Sequence, residues 1–72
     1  MRYEVLHQKP DGDCISVFFK KPEQALDHAE GILRNVTPQP SYGFVSVSEV
    51  QIVDGEIEES AILFARAYGG SF

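Results

Sequence analysis

Apolar and polar side chains alternate with a period of two in two short segments near the start of the chain, residues 2–7 and 14–20. This period is typical of β-strands, in which successive side chains point to opposite faces. Between the segments stands Asp11-Gly12, a dipeptide that strongly favours a tight turn. The pattern therefore predicts a β-hairpin over residues 2–20.

Helical spacing replaces this alternation over residues 22–36. Pro22 suits the first turn of a helix, where its missing N–H has no partner to lose. Thr37-Pro38 disfavours continuation of the helix. Gly31 lies near the apolar stripe, and we expect it to let the helix approach the sheet closely. The stripe is formed by Ala25, Leu26, Ala29, Ile32, Leu33 and Val36.

The next β-rich run, residues 44–53, changes its apolar phase halfway. Its first valines occupy odd positions, whereas Val50 and Ile52 occupy even positions. A β-bulge near Ser48-Glu49 would bring all of these side chains to one face. We therefore predict a long strand that contains a bulge.

Residues 57–68 are compatible with two conformations. The preceding Asp54-Gly55 is the strongest hairpin signal in the chain and favours a fourth strand that turns back along the third. A helix is the alternative, with Gly69 placed as a stop signal. The helical spacing joins Ile57, Ala61, Phe64, Ala65 and Tyr68.

We predict a single α+β domain over residues 1–72, in which an antiparallel sheet carries one helix on one face. The element order is β-β-α-β-β, or β-β-α-β-α if residues 57–68 are helical. One helix leaves the second face of a four-stranded sheet uncovered, and an exposed apolar face favours a homodimer or a protein partner. Candidates for that face are Phe18, Ile62, Phe64 and Tyr68.

The composition bounds the kind of protein. With 72 residues the chain is near the lower limit for folding unaided. Cys14 is the single cysteine, so an internal disulfide is excluded and a reducing compartment is favoured. No apolar segment has the length of a signal peptide or a membrane span. These features predict a soluble, cytoplasmic protein that does not associate with membranes.

Charge is unevenly distributed along the chain. The net charge is −5, and residues 35–65 hold five acidic side chains but no Lys or Arg. Sequence-independent nucleic-acid binding requires a basic face, and none is apparent. The asymmetry argues against direct contact with nucleic acid and favours a protein partner with a basic surface.

The acidic group and nearby aromatic residues are the best candidates for a partner-binding site. Charges on an edge strand also protect a sheet from aggregation, so a purely structural role is the competing interpretation. We predict a non-catalytic binding or regulatory module, for example an inhibitor of a basic, nucleic-acid-binding target. The candidate residues are Glu49, Asp54, Glu56, Glu58 and Glu59, with Tyr42, Phe44 and Tyr68 as aromatic anchors.

Signals for other chemistry are weak. Cys14 and His7 lie on neighbouring strands of the predicted hairpin, so a small enzyme with a thiol nucleophile and a histidine base is an alternative. No metal-ligand spacing such as HxxxH or CxxC occurs. A phosphate-binding Gly-rich loop between a strand and a helix is also missing from the sequence. We predict no metal and no cofactor.

The stretches MRYEVLHQKPDGDCISVFF (residues 1–19) and EQALDHAEGIL (residues 23–33) loosely resemble the start of HicB-type antitoxins. Proteins of that family begin with a strand, a turn containing Asp-Gly and a second strand, and later carry a helix of the E-A-L-x-x-A type. They have a third strand and a Pro-Gly-containing segment before the helix, whereas here the predicted helix follows the second strand directly. The resemblance implies, as an alternative function, an antitoxin-like partner of a small toxin.

Overall fold

A computed structural model describes residues 2–36 and 41–69. The element order β-β-α-β-β confirms the predicted α+β architecture. The alternative with residues 57–68 helical is wrong, because this segment pairs along the whole of the third strand. The elements are β1 (Arg2–Gln8), β2 (Cys14–Phe19), α1 (Pro22–Asn35), β3 (Tyr42–Val53) and β4 (Glu56–Gly69).

The four strands form one antiparallel sheet in the order β2-β1-β3-β4. The helix α1 connects β2, at one edge, to β3 on the far side of β1. Paired residues of antiparallel strands share a face. The face that carries Val5, with its partners Val17 and Val47, packs against α1. We call the opposite face the open face.

The core between α1 and the sheet is small. Val5, Val45 and Val47 are at most 1% exposed, and they meet Ala25 and Ala29 of the helix, which are fully buried. Alanines at the contact bring the helix axis close to the strands, so small valines fill the space. Larger, partly buried side chains surround this centre: Tyr3, Phe19, Leu26, Ile32, Leu33, Phe64 and Tyr68.

Both predicted hairpin turns are present. Gly12 has a φ of 99° and donates its N–H to the carbonyl of Lys9 at 3.0 Å. Asp54 and Gly55 have φ angles of 52° and 80°, as a type I′ turn requires at both central residues. Such a turn matches the twist of the strands it joins, so β4 folds back directly along β3.

The predicted bulge in β3 is wrong. Pairing between β1 and β3 runs without a shift from Arg2↔Val50 to Gln8↔Phe44, so Val47 faces the helix and Val50 the open face. The irregularities lie on β4 instead, where Ser60 and Leu63 are the residues skipped in its pairing with β3. Val45 and Val47 are buried on the helix side and Val50 is 3% exposed on the open face, so the change of apolar phase reflects burial of valines on both faces of an interior strand.

The helix begins at Pro22, as predicted, and ends at Asn35, whose amide Nδ2 donates to the carbonyl of Gly31 at 2.7 Å. The expectation that Gly31 permits close approach to the sheet is wrong, because a Cβ atom placed there would meet no atom within 4 Å. The predicted stop signal Thr37-Pro38 lies outside the described residues.

Candidate protein-binding site

The β3–β4 hairpin extends beyond the rest of the sheet. The last pair between β1 and β3 is Arg2↔Val50, so in the described part of the chain residues 51–53 and 56–58 have only each other as strand partners. The molecule is accordingly elongated, with extents of 44 × 22 × 15 Å. We call residues 51–58 the hairpin arm.

The two faces of the hairpin arm differ in chemistry. Ile52 pairs with Ile57 on the open face, where they are 62% and 55% exposed. On the other face Glu58 pairs with Gln51 and Glu56 pairs with Val53, and all four side chains are exposed. The arm therefore presents two isoleucines on one side and two carboxylates on the other.

The apolar side of the arm continues onto the open face of the sheet. A cavity of about 90 Å³ lies there, lined by Arg2, Phe18, Val50, Ile52 and Ile57. Ile62, which pairs with Ser48 on the same face, is 64% exposed. We call this surface the open-face patch; it consists of Phe18, Val50, Ile52, Ile57 and Ile62.

Two of the aromatic residues expected on the open face lie on the other face. Phe18 and Ile62 are on the open face as predicted, whereas Phe64 and Tyr68 pack on the helix side. In a regular strand Ile62 and Phe64, two positions apart, would share a face. Leu63 is an extra residue between them, so Ile62 points to the open face and Phe64 to the helix side.

The predicted acidic group is divided between four positions. Glu56 and Glu58 lie on the helix-side face of the arm, and Asp54 occupies its turn. Glu59 pairs with Val50 and so lies on the open face beside the patch. Glu49 is half-buried on the helix side. Only Asp54, Glu56 and Glu58 form part of the arm.

The predicted aromatic anchors lie at the far end of the hairpin from the arm. Tyr42 pairs with Gly69, ten residues before Ile52 on β3, which corresponds to about 33 Å of strand. Tyr42 is 70% exposed, whereas Phe44 is half-buried on the open face. The structure therefore does not bring these residues together with the acidic arm.

Tyr68 forms a contact that no pattern in the sequence predicted. Its hydroxyl lies 2.7 Å from Nε2 of His7, and its ring covers Gly43 on the neighbouring strand. Burial raises the pKa of Tyr68, with a smaller contribution from Asp11. Burial also lowers the pKa of His7, assisted by the positive charges of Lys9 and His28. The available signal was a glycine directly before the β-rich run of residues 44–53, since strand glycines often lie under an aromatic side chain.

Cys14 and His7 are not arranged as a nucleophile and base. Cys14 pairs with Gln8 and His7 pairs with Ile15, so the two candidate side chains point to opposite faces of the sheet. Cys14 is exposed on the open face.

Within residues 2–36 and 41–69, no three or more His, Cys, Asp or Glu side chains are grouped in a way that could hold a metal ion. In the same residues, no helix has both the length and the apolar character needed to cross a membrane. Comparison with known proteins finds no family model, no curated protein and no solved structure that matches this chain.

Proposed function

We propose that this protein is a non-catalytic binding module that engages a protein partner with a basic surface through its hairpin arm. The observation that carries the proposal is the two-sided chemistry of the arm, with Glu56 and Glu58 on one face and exposed Ile52 and Ile57 on the other. Apolar contacts supply affinity when buried, and charge complementarity directs the encounter and selects the partner.

The charge of the arm selects the kind of partner. The arm carries Asp54, Glu56 and Glu58 and no Lys or Arg, so it repels nucleic acid and attracts cationic protein surfaces. A narrow acidic hairpin suits a basic groove of the kind that binds nucleic acid. Inhibition of such a target by occupation of its groove is the regulatory form of this proposal.

A second copy of the chain is a further candidate partner, and it would bind the open-face patch. Phe18, Ile52, Ile57 and Ile62 are all at least 40% exposed, which leaves a large apolar surface in water. Glu56 and Glu58 point away from this face, so a homodimer formed through it would leave them available to a basic partner.

An antitoxin-like role toward a small toxin is the alternative, supported by the resemblance of residues 1–19 and 23–33 to HicB-type antitoxins. It requires the same kind of protein contact and differs in the identity of the partner. A reading frame for a small basic protein beside the gene would support this alternative.

The proposal is tested by affinity capture from source-cell lysate, followed by titration of the purified captured protein at low and high salt. We expect the double substitution Glu56→Gln and Glu58→Gln to weaken binding at low salt, with the wild type approaching the variant as salt increases. The matched control is Glu23→Gln with Glu30→Gln, which removes two exposed carboxylates from α1 instead. Tight binding that is insensitive to both salt and the arm substitutions would contradict the proposal.

A further inference from the structure

Within residues 2–36 and 41–69, the outer edge of β4 carries protective features in its first half and none in its second. Residues 56–63 carry Glu56, Glu58 and Glu59 and contain both bulges, which are devices that discourage pairing with another strand. Residues 64–69 pair with β3 without any shift, and Arg66 is their single charged residue. This second half is therefore a regular edge that can accept another strand.

A groove between α1 and this edge has the opposite charge character from the rest of the molecule. It has a volume of about 410 Å³ and is lined by Glu30, Leu33, Arg34, Phe64 and Arg66. The guanidinium of Arg66 lies 5.5 Å from the centre of the Phe64 ring. Two arginines and one glutamate make the groove cationic in a protein whose net charge is −5.

We propose that residues 64–69 bind an extended acidic segment of a partner protein as a fifth strand of the sheet. A strand added at about 4.8 Å from β4 places its side chains directly opposite those of β4. A carboxylate opposite Arg66 enters the groove that Arg34 also lines, and an apolar side chain two positions away covers Phe64.

The open-face side of the same edge fits this strand as well. Ala65, Ala67 and Gly69 are the β4 residues on that side, and they leave room for bulky side chains of the added strand. The recognised segment therefore alternates bulky apolar residues on one face with an acidic and an apolar residue on the other. A free small anion would use the arginines alone and would gain nothing from the strand edge, so a protein segment fits the site better.

The site is distinct from the hairpin arm, so it adds a second binding surface to the proposed function. One surface is acidic and would take a basic partner, whereas the other is cationic and would take an acidic strand. A test with a defined peptide separates the two, since it does not involve the arm.

The probe is a synthetic peptide of sequence TVEVLVT, titrated into the labelled protein while backbone amide resonances are followed by NMR. We expect shifts concentrated at residues 64–69 and at Leu33 and Arg34. There are two control peptides. The first has Lys in place of Glu, and the second keeps the sequence but has a fully N-methylated backbone. We expect the first to bind about tenfold more weakly, as a charge-assisted contact implies, and the second not to bind.

The protein variant is Arg66→Glu, which should reverse the preference between the Glu and Lys peptides. Lys20→Glu is the matched control, because it makes the same charge change just after β2, at the other edge of the sheet, and should leave the preference unchanged. Substitution of Glu56 and Glu58 by Gln should also have no effect on peptide binding. The proposal would be overturned by any of three results. The resonance shifts could lie elsewhere in the protein, the N-methylated peptide could bind as tightly as the unmodified one, or Arg66→Glu could prefer the Glu peptide as the wild type does.

Discussion

At the scale of single residues, the close contact between Tyr68 and Gly43 depends on the absence of a side chain at position 43. A Cβ atom built there would overlap the tyrosine ring. We expect Gly43→Ala to displace the ring from His7 and to lower the free energy of unfolding by about 1–3 kcal/mol, measured by urea denaturation. Gly31→Ala is the control, since a Cβ atom there has open space, and it should stabilise α1 by about 1 kcal/mol. Equal effects of the two substitutions would refute this role of Gly43.

His7 links the same contact to pH. Because folding lowers the pKa of His7 from its ordinary value of 6.5, the unfolded chain binds more protons at this residue. The His7 contribution to stability is complete above pH 6.5 and is lost as pH falls through the lowered folded-state pKa. We expect the urea midpoint to decrease over this range in the wild type and to decrease less in His7→Gln. His28→Gln should keep most of the dependence, because burial is the larger cause of the shift. If the urea midpoint of His7→Gln depends on pH in the same way as that of the wild type, His7 does not link stability to pH.

At the scale of secondary structure elements, the hairpin arm should be less stable than the strands behind it. Its residues are all exposed, and in the described part of the chain residues 51–53 of β3 pair with β4 alone, whereas residues 44–50 of β3 pair with both β1 and β4. We expect the hydrogen-bonded amides of residues 51–58 to exchange through local opening, at a lower free energy than those in the β1–β3 ladder. Native-state hydrogen exchange measures this difference. Opening of both regions at the same free energy would show that the arm is held as firmly as the rest of the sheet.

The Asp54-Gly55 turn should control the stability of the arm. Gly55 has a φ of 80°, a conformation that costs an alanine about 1 kcal/mol. We expect Gly55→Ala to accelerate amide exchange in the arm while exchange in the β1–β2 hairpin is unchanged. Gly12→Ala, with a φ of 99° in the other turn, should show the reverse pattern. Acceleration in both hairpins by either variant would contradict independent control by the two turns.

The elements themselves were largely predictable, because their signals are local. Period-two alternation, helical spacing after Pro22 and the two Asp-Gly turns each act over a few residues, and all four are confirmed. The positions of the bulges were not predictable in this way. Ser60 and Leu63 are extra residues only in relation to the pairing of β4 with β3, and that pairing is a property of two strands together.

At the scale of the whole molecule, one small core carries a sheet whose second face is largely in water. If a second copy covers the open-face patch, folding is linked to association, and the melting temperature should rise with protein concentration. Ile57→Lys should abolish this dependence. Ile15→Lys is the matched control, because Ile15 is also exposed, at 42%, but lies on the helix-side face of β2. A melting temperature that is constant over a wide concentration range would argue against the homodimer.

The sequence by itself determined the order of the first four elements, the two turns, the helix start and the acidic character of residues 35–65, since each depends on neighbouring residues or on composition. It left residues 57–68 open between a strand and a helix, and pairing with β3 decided for the strand. Tertiary structure decided which residues share a surface. Strand register placed Glu56 and Glu58 on one face of the arm and Ile52 and Ile57 on the other. It also placed Tyr42 and Phe44 far from the acidic arm, and it put Cys14 and His7 on different faces of the sheet. The bulge at Leu63 sent Phe64 and Tyr68 to the helix side, where they pack around the core. A shift of one residue in pairing reverses the face of every residue beyond it, and long-range packing, not local sequence, selects that shift.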